Sequence, residues 1–155
     1  MRKMFVAACL TLGLIGAASL QGAARADEPG WTYAYAGGIA TATQRDDRGR
    51  VTATLTCRPP TGDLIITDYT LVRDRRANRA AVGIGNLTIN VPPSVDRAEG
   101  GRALIVRLPQ RPPILAGVQP SDRLTVAVGG RTHTYLAGSA TRMSEVAYAC
   151  WQGGS

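Results

Sequence analysis

The chain of 155 residues contains one histidine and three cysteines, and each scarcity excludes something. Any Ser-His-Asp, Cys-His or histidine-based metal site has to run through His133. No G-x-S-x-G elbow surrounds a serine and no C-x-x-C pair is present, so the usual signatures of an α/β-hydrolase nucleophile and of a dithiol redox centre are missing. Glutamate is confined to Glu28, Glu99 and Glu145, and most aspartates, Asp46, Asp47, Asp63, Asp96 and Asp122, stand in turn-like contexts where a carboxylate bonds its own backbone. Paired carboxylates for glycoside hydrolysis are therefore hard to assemble. Asp68 is the one acid inside a strand-like run, and its charge assigns it to the outer face. The sequence carries no enzyme signature and implies no cofactor.

Long apolar runs are scarce as well, and the one present is N-terminal. Residues 1–26 combine Arg2 and Lys3, an apolar stretch from Met4 to Leu20, and the small-residue site Ala24-Arg25-Ala26. This is the three-part pattern of a secretory signal, with cleavage expected after Ala26. A lipoprotein box at Val6-Ala7-Ala8-Cys9 would leave an apolar core of only about four residues, well short of the usual range. The expectation is a bacterial protein, periplasmic or secreted, whose residues 27–155 form a single domain with no transmembrane span. Fifteen arginines against eleven acids give that domain a net charge of about +4. Such a mild balance, without aromatic residues among the arginines, argues against nucleic acid as a partner.

With Cys9 in the leader, Cys57 and Cys150 remain. In an oxidising compartment an even pair reads as a disulfide. Closing a loop of about 94 residues, it would stabilise the fold by roughly 4–5 kcal/mol in the chain-entropy model.

Short runs of Val, Ile, Thr and Tyr recur between Gly, Pro and Asp clusters, and no stretch shows sustained helical periodicity. The pattern predicts an all-β domain, an antiparallel β-sandwich or flattened barrel of about eight or nine short strands with one disulfide. In "GIATATQRDDRGRVTATLTC", Arg45 opposite Arg50 puts Ala40, Ala42, Val51, Ala53, Leu55 and Cys57 on an inner face and Thr41, Thr43, Thr52 and Thr54 on an outer one. In "RLTVAVGGRTHTYLAG", a Gly129-Gly130 turn sets Val128 against Arg131, Val126 against His133 and Leu124 against Tyr135. "LIITDYTLV", "NLTINV" and "RALIVRLP" read as strands, with Pro92-Pro93 ending the second of them and a polar loop running from Asp96 to Gly101. The last strand is expected over Glu145 to Trp151, joining Cys150 to Cys57 between two sheets. No tryptophan lies between the cysteines, which argues against a true immunoglobulin domain.

The early "GWTYAYAGG", the "GV" and "LTVAVGG" near the end and the late cysteine resemble small secreted proteobacterial proteins of the invasion-associated locus B type. The likeness covers about a third of the chain, which departs from the family in having two cysteines after the leader and a polar insert around Arg75. It implies a periplasmic or surface β-domain without catalytic machinery, and it transfers no residue's role.

The binding candidate is "LVRDRRANRAAVG", where Arg73, Arg75, Arg76 and Arg79 outnumber Asp74. Guanidinium forks suit the carboxylates and phosphates of an acidic envelope component or a protein partner; a solvated linker is the alternative. His133 is expected to be half-buried beside apolar neighbours with one hydrogen bond. A small enzyme or metal-binding protein using His133, for example copper held with Met143, is the competing function. Trp31, Tyr33 and Tyr35 alternate on one strand face and are expected to fill the core more than to stack on sugars. The function read from the sequence is a non-catalytic binding domain of the bacterial envelope.

Overall fold

A computed structural model describes residues 30–58, 62–71, 77–98 and 101–152. The expected leader, residues 1–26, lies outside them. Among the described residues ten strands form two antiparallel sheets, a single 3-10 turn lies at Pro113–Leu115, and one α-helix follows the last strand. The strands are β1 (Gly30–Ala36), β2 (Ile39–Arg45), β3 (Val51–Arg58), β4 (Asp63–Asp68), β5 (Ala80–Ile84), β6 (Leu87–Val91), β7 (Pro93–Ala98), β8 (Gly101–Leu108), β9 (Leu124–Val128) and β10 (Arg131–Thr134); the helix is α1 (Ser139–Gln152). One sheet has the order β1-β2-β3-β4-β8-β7 and the other β10-β9-β5-β6. The sheets do not close into a barrel, so the all-β expectation holds in its sandwich form. Among the described residues no helix is long and apolar enough to cross a membrane.

The second glycine hairpin forms in the expected register, with Arg131 opposite Val128 and His133 opposite Val126. Gly129 and Gly130 have φ of 56° and 77°, the left-handed backbone that a two-residue turn of this kind requires. In the first hairpin the alanine and threonine faces are as expected, but the register and the side on which Val51 lies are not. Ala40 pairs with Cys57 and Ala42 with Leu55, two residues beyond the expected partners. A bulge supplies one residue of the shift, since Gln44 pairs with Ala53 and Arg45 with Val51 and Thr52 is left extra; the loop, running from Asp46 to Arg50 and so one residue longer than expected, supplies the other. A shift by an even number preserves which side chains face inward, so Ala40, Ala42, Ala53, Leu55 and Cys57 are all buried. Val51, beside the bulge, turns out toward the threonine side.

Glu145 to Trp151 is helical, which corrects the expected last strand. Val146, Tyr148 and Cys150 do alternate, but Tyr148 is 66% exposed, so they share no buried face. Ala140, Met143, Val146, Ala147 and Cys150 are buried together, the i, i+3, i+7 spacing of a helical stripe in which Ala140, Met143 and Ala147 are good helix formers. The helix packs on β2 and β3, and the alanines facing it there are small enough to let it approach. The Cys57–Cys150 disulfide, with Cα atoms 5.7 Å apart, thus ties the six-stranded sheet to α1 and not to the second sheet.

Two further expectations are corrected. The polar stretch after Pro92 is a strand, β7, whose Pro93 pairs with Val106. β7 has β8 as its only neighbour in the sheet, and an edge strand tolerates a residue with no N–H to donate. Of the β1 aromatics only Trp31 packs against the core; Tyr33 and Tyr35 are exposed, because β1 is the other edge of the large sheet. Trp31 stacks at a tilt against Tyr135, ring centroids 6.3 Å apart, while the Trp151 indole N–H donates to the Gly62 carbonyl.

Candidate functional site

β4 carries Leu64, Ile66 and Asp68 on its inner face, and Asp68 sits opposite Ala53 on one side and Leu104 on the other. The carboxylate is therefore inside the sandwich, 1% exposed, and not on the outer face its charge suggested. Burial is tolerated because both oxygens are fully engaged. Oδ1 accepts the Thr70 amide and hydroxyl, each at 2.7 Å, and the Leu71 amide at 2.8 Å. Oδ2 accepts the Tyr135 hydroxyl at 2.7 Å and His133 Nδ1 at 2.6 Å. Burial alone raises the carboxyl pKa, and the hydrogen bonds from His133, Tyr135, Thr70 and Leu71 outweigh it, holding it at about 2. Desolvation first, and then the Asp68 charge, push the Tyr135 phenol well above 10, so it stays a donor.

His133 reaches this carboxylate from β10, the edge of the four-stranded sheet, and Tyr135 follows it by two residues. The cluster thus joins the end of a central strand in one sheet to the edge of the other. An ionised carboxylate against Nδ1 fixes the proton there, with the Thr70 hydroxyl oxygen also 3.1 Å away. The ring makes more contacts than the single hydrogen bond expected, and Tyr135 lies against it with centroids 4.3 Å apart. Among the described residues nothing hydrogen-bonds Nε2. A carboxylate-oriented imidazole is half of a hydrolytic triad, but no hydroxyl or thiol among the described residues completes it. Cys57 and Cys150 are joined in the disulfide, Met143 is fully buried within the α1 stripe, and no cluster of three His, Cys, Asp or Glu that could hold a metal occurs among the described residues.

Beside the cluster, and sharing Thr70 with it, an open groove of about 710 Å³ runs over the outer face of β2 and β3. Thr43, Thr52, Thr54, Arg45 and Val51 come from these strands, Asp46 and Arg50 from the hairpin loop between them, and Tyr69 and Thr70 from the corner after β4. The loop is held by Asp46, whose carboxylate accepts the amides of Arg48 and Arg50 and pairs with the Arg50 guanidinium at 2.7 Å. The Arg50 side chain, before any other influence, keeps the Asp46 carboxyl below the usual aspartate range. Arg45 donates to the Gly49 carbonyl at 2.7 Å and has no carboxylate partner among the described residues. The bulge shapes the floor: buried Gln44 donates to the Thr52 hydroxyl at 2.8 Å and accepts the Leu136 amide at 2.9 Å, and the Tyr69 amide donates to the Thr52 carbonyl.

Of the four arginines singled out in the sequence, Arg79 is exposed just before β5, while Arg73, Arg75 and Arg76 lie outside the described residues. Sequence reasoning did not single out Gln44, Arg45, Tyr69 or Thr70. The even spacing of Ala40, Ala42 and Gln44 placed Gln44 inside, and an amide continuing the alanine face was the available sign. No family model, curated protein or solved structure matches the chain.

Proposed function

We propose that the protein is an exported, non-catalytic binding domain of the bacterial envelope, and that the groove over β2 and β3 is where it holds its ligand. The observation that carries this is the contrast in hydrogen-bond satisfaction. The buried polar groups of the Asp68 cluster are spent on one another, whereas Thr43 and Thr54, opposite each other on the groove floor, make no side-chain hydrogen bond among the described residues. A concave site with a few convergent polar groups is the usual form of a small-molecule site. The N-terminal leader pattern, the disulfide and the resemblance to the invasion-associated locus B type support export. The arginine segment of residues 73–79 is the alternative contact for an acidic envelope component or protein partner.

The test is a crosslinking pull-down from an envelope extract with the full chain, exported through its own N-terminal segment. A partner captured by wild type and lost in the Thr43→Val, Thr54→Val double variant assigns the groove. A partner lost only when Arg73, Arg75, Arg76 and Arg79 are all changed to serine moves the site to that segment. Undiminished capture by both variants removes the reading.

One observation favours a second function, a small enzyme acting through His133: the 2.6 Å Asp68 contact that orients the ring with Nε2 unengaged. His133→Ala separates the two, since it abolishes catalysis and leaves groove binding in place.

A further inference from the structure

We infer that the groove binds an acidic oligosaccharide, a short chain of sugar rings bearing a carboxylate. This rests on the binding function proposed above and names its ligand. The groove lies in mid-sheet: β2 is paired to β1 and β3, and β3 to β2 and β4. No strand edge is open at its floor, so an extended peptide finds no backbone ladder to join there, and recognition has to come from side chains.

Those side chains form a mixed hydroxyl set. The Thr43 and Thr54 hydroxyls can each donate and accept. The Thr70 hydroxyl has its proton committed to Asp68, so toward the groove it offers a lone pair, which calls for a ligand that donates. Thr52, already accepting from Gln44, has acceptor capacity left. Sugar hydroxyls both donate and accept at short intervals and match this arrangement. Apolar lining is limited to Val51, threonine methyls and Tyr69, too little for an acyl chain, but Tyr69 gives a pyranose ring an aromatic partner.

The charge selects the acid. Arg50 is offset by Asp46, whereas Arg45 is tied only to a backbone carbonyl, leaving one unbalanced guanidinium at the groove. A carboxylate is the natural complement of that fork. At about 710 Å³ and open at the surface, the groove has room for a ligand of more than one ring.

The experiment is an amide-resolved NMR titration of the full chain with digalacturonate, with its methyl ester and with a glutamate-rich peptide of equal charge. The expected result is saturable binding of digalacturonate with shifts at Thr43, Thr54 and Tyr69, and binding of the ester weaker by about tenfold, the size of one charge-assisted hydrogen bond. Arg45→Gln erases the difference between acid and ester, and Thr54→Val weakens both by about fivefold. Equal binding of acid and ester overturns the role of Arg45. Preference for the peptide, or shifts confined to other surfaces, overturns the sugar assignment. An envelope partner captured through the groove in the absence of digalacturonate binding leaves the binding function standing and removes this ligand; loss of both removes both.

Discussion

Two polar regions meet at Thr70 and differ in what their hydrogen bonds do. In the Asp68 cluster every oxygen is answered from within the protein, by His133, Tyr135, Thr70 and Leu71. In the groove Thr43 and Thr54 are left open to the surface. A buried ionised group is affordable only when it is fully paired, so the cluster belongs to the fold. Exposed hydroxyls cost nothing when water answers them, so the groove is free to exchange that water for a ligand. The comparison predicts that changes in the cluster move stability and changes in the groove move binding.

The largest effect is expected from Asp68→Ala, which leaves the Tyr135 hydroxyl and the Leu71 amide without an acceptor in the interior. The loss is about 3 kcal/mol, measured as a fall in the urea midpoint.

Acid is the next way to break the cluster. Asp68 has a folded pKa of about 2 against an ordinary 3.8, so its contribution is fully present above pH 4 and is lost as the pH falls toward 2. The shift corresponds to about 2 kcal/mol, and in Asp68→Asn this component of the acid transition disappears from the pH dependence of unfolding free energy.

Tyr135→Phe removes one of the five donors and keeps the ring against Trp31 and His133. It is expected to cost about 1 kcal/mol, and the Asp68 carboxyl, followed by NMR, titrates at higher pH than in wild type.

Thr43→Val with Thr54→Val should leave stability within about 0.5 kcal/mol, because valine suits a strand and no internal hydrogen bond is lost. Its effect is expected in ligand capture alone.

The two regions were unequally legible in the sequence. The threonine face followed from strict alternation in β2 and β3 and survived a two-residue register error, since an even slip keeps the faces. The bulge at Thr52 was not legible, because nothing in "GRVTATL" marks which residue lacks a partner. Asp68 was legible by parity with Leu64 and Ile66, and the expectation from its charge was the wrong guide; charge decides only when no partner is at hand. Its partners His133 and Tyr135 are 65 and 67 residues away, beyond any local pattern. The helix was hidden because Val146, Tyr148 and Cys150 alternate like a strand, while the spacing of Ala140, Met143, Ala147 and Cys150 carried the helical signal that prevailed.

The most direct measurement pairs a urea unfolding curve with envelope-partner capture for the wild-type chain and the Thr43→Val, Thr54→Val variant. The account predicts coincident unfolding midpoints and loss of capture in the variant. Capture that persists at wild-type level with an unchanged midpoint would contradict it, and would return the threonine face to solvent.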